Sequence, residues 1–215
     1  MDHSDRVSVD DFACRFDFQS GWINLTLTEG SKEEAEQLAR AAVEHFNPLT
    51  LLVPKEPLVK ELADRALRAD EDGPILVAAC YTDGGGFLAE LVVSSYAEDG
   101  VARPTPAEVE PMLLQWSNVK VVGTPDVSHT DLAAGPAVRV QATLQAKRLF
   151  GIGSRLSESI RYAVFPPGTE TIIEIATRWE VFERTEELTE LTDELVATMR
   201  LVPLDADGNE IGAGS

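Results

Sequence analysis

Ala35, Leu38, Ala39, Ala42, Val43 and Phe46 recur three and four positions apart, which draws one apolar stripe along a helix. Ser31 followed by Glu34 supplies a capping box at its start, and Asn47-Pro48 ends it. A second helix is predicted over residues 57–69, with Pro57 in its first turn and the acidic Asp70-Glu71-Asp72-Gly73 after it. Val109, Met112, Leu113 and Trp116 mark a third, which Pro111 must kink or restart. The last helix, over residues 183–200, has Leu188, Leu191, Leu195 and Met199 on one face and six acids on the other.

Between these helices the period changes to two. Residues 138–147 place Val138, Val140, Ala142, Leu144 and Ala146 on one side of a strand and Arg139, Gln141, Thr143, Gln145 and Lys147 on the other. Residues 75–82 and 87–96 are joined by Asp83-Gly84-Gly85-Gly86, the turn chemistry of a β-hairpin, and are therefore expected to be antiparallel neighbours. A last hairpin is expected from residues 160–165 and 171–179 around Pro166-Pro167-Gly168. At the start of the chain, residues 16–18 and 22–28 read as a strand pair around Ser20-Gly21, and residues 119–122 as a short strand before a polar loop, TPDVSHTDLAAG. Strands come as hairpins with helices between the hairpins. That order predicts an α+β fold, a mainly antiparallel central sheet flanked by helices in an α/β/α sandwich, and not a doubly wound nucleotide fold. One domain is expected over residues 13–203, between an acidic tail at 1–12 and a flexible tail at 204–215.

The segments GWINLTL, AGPAVRVQATLQ, IRYAVFPPGTETIIEIATRW and ELTDELVATMRL, in that order with a long helix and an AACY strand after the first, resemble the PsbP-like superfamily. That superfamily takes in the photosystem subunit PsbP, the Ran-binding Mog protein, mycobacterial LpqN-type lipoproteins and the Eag secretion chaperones. The similarity spans about residues 16 to 203 and is strongest at the end, where Leu195, Ala197, Thr198, Met199 and Arg200 follow an aromatic strand pair. It implies a central antiparallel sheet between helices and a binding or chaperoning role without catalysis. The first thirty residues show neither a lipobox nor a transit-peptide pattern, so neither the lipid anchor of the lipoproteins nor the transit peptide of the chloroplast subunits is expected. The superfamily shares no set of functional residues to carry over.

Composition adds charge to this picture. The 215 residues hold 37 acidic and 18 basic side chains, a net charge of -19, which argues against nucleic acid and anionic membrane surfaces as general partners. The charge is uneven: residues 120–178 carry a net +2 and the remainder -21. The first thirty residues have neither a basic n-region nor an unbroken apolar stretch, and no apolar run approaches the roughly 18 residues of a membrane span, so a cytoplasmic location without membrane insertion is expected. Cys14 and Cys80 are too few for a disulfide scaffold and read as reduced packing residues.

No catalytic set emerges. Asp126, Ser128 and His129 lie adjacent in the polar loop, which is neither the converging geometry of a metal site nor a nucleophile held by its base. Residues 151–155, GIGSR, have the look of a phosphate-cradling loop, but lack the P-loop lysine and precede a strand where a helix is needed. Asp205 to Asn209 imitate the opening of a calcium loop, yet Glu210 stands where glycine is required. No cofactor and no metal is therefore expected.

The remaining signal is a polar sheet face. If strand registers match, Arg139, Gln141 and Thr143 share it with Arg161 and Arg178, and the face could receive an acidic or mixed-charge peptide, or be solvated and paired through Glu174. The expected function is a non-catalytic protein-binding module: a chaperone, an adaptor, or an assembly or secretion factor. The alternative is a small-ligand receptor or enzyme with a pocket between sheet and helices, lined by Trp22, Tyr162 or Trp179. Homo-oligomerisation through an open sheet edge is a third expectation.

Overall fold

The computed structural model describes residues 12–71, 73–97, 100–147, 154–205 and 211. Both expected tails in large part, His3, and the GIGSR turn up to Gly153 lie outside them. Seven strands form one antiparallel sheet: β2 (Trp22–Asn24), β3 (Leu76–Tyr81), β4 (Phe87–Tyr96), β5 (Val119–Leu132), β6 (Gly135–Lys147), β7 (Ser154–Val164) and β8 (Ile172–Trp179), in the order β2-β3-β4-β8-β7-β6-β5. A separate antiparallel pair joins β1 (Phe12–Arg15) to β9 (Arg200–Pro203).

Among the described residues, four α-helices cover the sheet. α4 (Thr185–Ala197) lies on one face, where Leu188, Leu195 and Val196 pack with Leu91, Ile160 and Ile175. The other face carries α1 (Lys32–Glu44) and α2 (Lys55–Asp70) over Val77, Ala79 and Tyr81 at one end, and α3 (Pro106–Leu113) over Val138, Val140 and Ala163 at the other. The fold is α+β, a mainly antiparallel sheet between helices, as the alternating patterns predict. At the start of α1 the Ser31 hydroxyl accepts from the Glu34 amide, while the Glu34 carboxylate accepts from the amides of Thr28, Glu29 and Gly30. Those backbone donors hold the Glu34 carboxyl below its ordinary range.

Three expectations are corrected. The N-terminal strand pair does not form: residues 12–15 pair with the far end of the chain, Phe12 opposite Pro203, while Trp22 lies opposite Cys80. Local turn chemistry at Ser20-Gly21 is real, with Trp22 N–H donating to the Gln19 carbonyl, but it feeds β2 toward β3. The polar segment after residue 122 is not a loop. It completes β5, pairing with β6 as far as Leu132 opposite Gly135, with a register shift between Val122 and Asp126. An outermost strand is wet on its free side and largely on its faces, so it lacks the apolar alternation by which strands are read. Finally, the last helix stops at Ala197, because the chain turns through Thr198 and Met199 into β9.

Candidate functional site

The turn Ala133-Ala134 brings β6 back beside β5, and the register places Arg139 between Ser128 and Tyr162, Gln141 between Asp126 and Ile160, and Thr143 between Val122 and Glu158. These residues face α4. From α4, Thr189 and Asp193, four positions apart and so on one side of the helix, reach down beside the buried Leu188 and Thr192. The result is an open groove of about 640 Å³, walled by α4 and floored by β5, β6 and Tyr162 of β7.

Arg139 is the centre of this floor and only 8% exposed. Its Nε donates to the Tyr162 hydroxyl and to Asp193 Oδ1, both at 3.1 Å, its Nη2 to Gln141 Oε1 at 2.9 Å and its Nη1 to Asp126 Oδ2 at 3.4 Å. The Tyr162 hydroxyl donates to Asp193 Oδ1 at 2.6 Å. Gln141 passes the network on to Glu158 and Thr189, and the Thr143 hydroxyl donates to Glu158 Oε2 at 2.8 Å. A guanidinium can be buried only when its donors are satisfied, and here two carboxylates, a phenol and an amide do so. Arg139 is therefore spent on holding the floor together and offers no free cation to an anionic ligand.

The expected single arginine face is split. Because Arg139 lies opposite Tyr162, Arg161 lies opposite Val140 and points to the other side of the sheet, where Arg178 joins it. There Arg161 bonds Glu174 at 2.6 Å and donates to the carbonyls of Leu113 and Gln115, which ties β7 to the end of α3. Arg178 is exposed and donates to the Ser157 hydroxyl. Of the expected pocket aromatics, Tyr162 lines the groove, whereas Trp22 and Trp179 are buried in the core. The Trp179 indole N–H donates to Thr185, and the Trp22 indole N–H has no partner among the described residues.

The groove also uses Asp193 and Thr189, which the sequence does not single out because they lie on a helix face that reads as solvated; Asp126 and Ser128, weighed and set aside as parts of a polar loop, line it from β5 together with Asp131. The signal for the carboxylates is conditional: an arginine on an alternating strand calls for one only where the fold buries it, as it does Arg139. Ser128 and His129, adjacent on β5, point to opposite faces, and His129 Nε2 is 2.8 Å from Glu110 Oε2 on α3. Nucleophile and base are thus kept apart. No group of three or more His, Cys, Asp or Glu able to hold a metal occurs among the described residues, and none of their helices is long and apolar enough to cross a membrane.

Burial, and then the Asp193 carboxylate, push the Tyr162 phenol well above its ordinary value. Burial likewise raises Cys80 to about 11 and Cys14 to about 12. Each of these groups releases its proton earlier in the unfolded chain, where a thiol titrates at its ordinary 9.0 and a phenol at 10.0. Their contribution to stability is therefore complete below about pH 9 and lost as pH rises toward the folded values. A thermal melt series above pH 9 is expected to show a falling Tm, with a shallower fall in Tyr162→Phe. An identical slope in the variant would contradict the burial of this phenol.

Comparison with known proteins gives little. No family model matches the chain and no curated protein does. Among solved structures, that of LpqN, involved in cell envelope biogenesis of Mycobacterium tuberculosis, is similar with a TM-score of 0.44 and 10% identity over 88% of this chain and 83% of that one. This is a distant likeness of fold, and it does not single out the PsbP-like superfamily.

Proposed function

We propose that the protein is a non-catalytic protein-binding module, a chaperone or adaptor in type, which captures an extended segment of a partner along the outer edge of β5. The observation that carries this reading is the position of β5: it ends the sheet order, runs for 14 residues, and no described strand pairs with its outer side. A row of unpaired backbone N–H and C=O groups is a template for an added strand. The register shift near residues 123–125 divides it, and the stretch 126–132 runs alongside the groove, so that side chains of an added strand would rest on the polar floor.

A second copy of the chain is a poorer occupant. Pro125 in the middle of the edge has no N–H to donate, the register shift bends the strand, and a net charge of -19 on each copy opposes association. Selection of a displayed random-peptide library on the purified chain, followed by amide hydrogen exchange of each complex, tests the proposal. Slowed exchange confined to residues 126–132 is the expected result. Slowed exchange instead at the α1–α2 groove around Arg40 and Lys60, or a dimer that seals the β5 edge in native mass spectrometry, would overturn it.

A further inference from the structure

Resting on that reading, we infer that the captured segment is cationic, with basic residues five positions apart. β5 presents carboxylates on both of its faces at an odd spacing: Asp126 toward α4 and Asp131 toward α3. The Asp126 side chain is 74% exposed although it touches Arg139, and Asp131 is exposed. In an added strand the residues opposite Asp126 and Asp131 are also five apart and also lie on opposite faces, whichever way the strand runs.

The surroundings have the same sign. α4, which walls the groove on one side, carries Glu186, Glu187, Glu190, Asp193 and Glu194 and no basic residue. Toward α3, Glu110 stands beside His129. The cation nearest the floor, Arg139, is already shared between Asp126 and Asp193, and Lys120 lies beyond the register shift. Thus the net +2 of the C-terminal strands does not describe this edge: Arg161 is paired on the opposite face, Arg178 lies there too, and what a strand arriving at β5 meets is negative. An acidic segment would set like charges directly opposite one another.

Synthetic peptides of the length of β5, with alternating Thr and Val and either two Lys, two Gln or two Glu five positions apart, are the probes, and binding is read by fluorescence anisotropy at low and high salt. The Lys peptide is expected to bind about tenfold or more tighter than the Glu peptide at low salt, to lose most of that preference at high salt, and to reverse it against the double variant Asp126→Lys, Asp131→Lys. If Lys, Gln and Glu peptides bind equally and all slow exchange in residues 126–132, the charge rule is wrong while strand capture stands. If none binds, or binding does not respond to the double variant and exchange slows elsewhere, the strand reading falls with it.

Discussion

Arg139→Ala is expected to lower the unfolding free energy by about 3 kcal/mol, the low end of the range for breaking a buried ion pair. The substitution removes the Arg139 donors from the Tyr162 hydroxyl, Asp193 Oδ1 and Gln141 Oε1, and leaves Asp193 Oδ1 with the Tyr162 hydroxyl as its remaining donor. The full penalty is not expected, because the Asp193 side chain is 39% exposed and Asp126 74%, so water takes over part of their solvation. Urea denaturation of Arg139→Ala, Asp193→Ala and the double variant separates the pair from its surroundings. A coupling of about 1–2 kcal/mol is expected for groups that share one network. Strict additivity, or a loss no greater than for an exposed arginine, would mean that the network is not what holds α4 to the β5–β6 end of the sheet. Arg139→Met with Asp193→Leu and Tyr162→Phe should recover much of the loss, since a matched apolar cluster carries no desolvation cost and leaves no buried phenol unpaired.

Gly135→Ala is expected to be at least as costly, about 3 kcal/mol or more, for a different reason. Gly135 closes the two-residue turn between β5 and β6 at φ +134°, a region that only glycine occupies without strain. A Cβ there would sit 2.5 Å from the Phe165 carbonyl oxygen and 3.1 Å from Pro166 Cα, backbone atoms that cannot rotate aside. Phe165 is itself fixed by its N–H donating to the Pro136 carbonyl at 2.8 Å. The damage should concentrate in the hairpin, with faster amide exchange at residues 127–140 than in β3 and β4. Gly168→Ala is the control: its φ is +79°, but nothing lies within 4 Å of the added methyl, so about 1 kcal/mol is expected. Equal losses in the two variants would show that backbone conformation alone, and not the contact with Phe165, sets the requirement at Gly135.

Both effects fall on the β5–β6 hairpin, where sequence and structure differ most. β6 is legible from its alternation alone, since Val138, Val140 and Leu144 face α3's side of the sheet while Arg139, Gln141 and Thr143 face α4's. Its partner β5 is not, because an edge strand of exposed polar residues has no buried face to impose a pattern. The Ser31 cap, the Gly-rich hairpin after Thr82 and the apolar stripe of α4 are local signals and are read directly. The pairing of residues 12–15 with 200–203 joins opposite ends of the chain, and no local signal announces it.

The sequence by itself determined the class of fold, the helices, the central hairpins and which residues of the central strands share a side, because periods of 3.6 and 2 are written residue by residue. Tertiary structure alone decided the phase between neighbouring strands. Odd-numbered residues of β6 lie opposite even-numbered residues of β7, so Arg139 and Arg161, both on the polar side of their own strands, end on opposite faces of the sheet. That one-residue offset gives Arg139 to Asp193 and Tyr162, gives Arg161 to Glu174, and leaves the β5 edge bordered by Asp126 and Asp131. Register is a relation between segments, fixed by turns and long-range packing, and a pattern within either segment does not contain it.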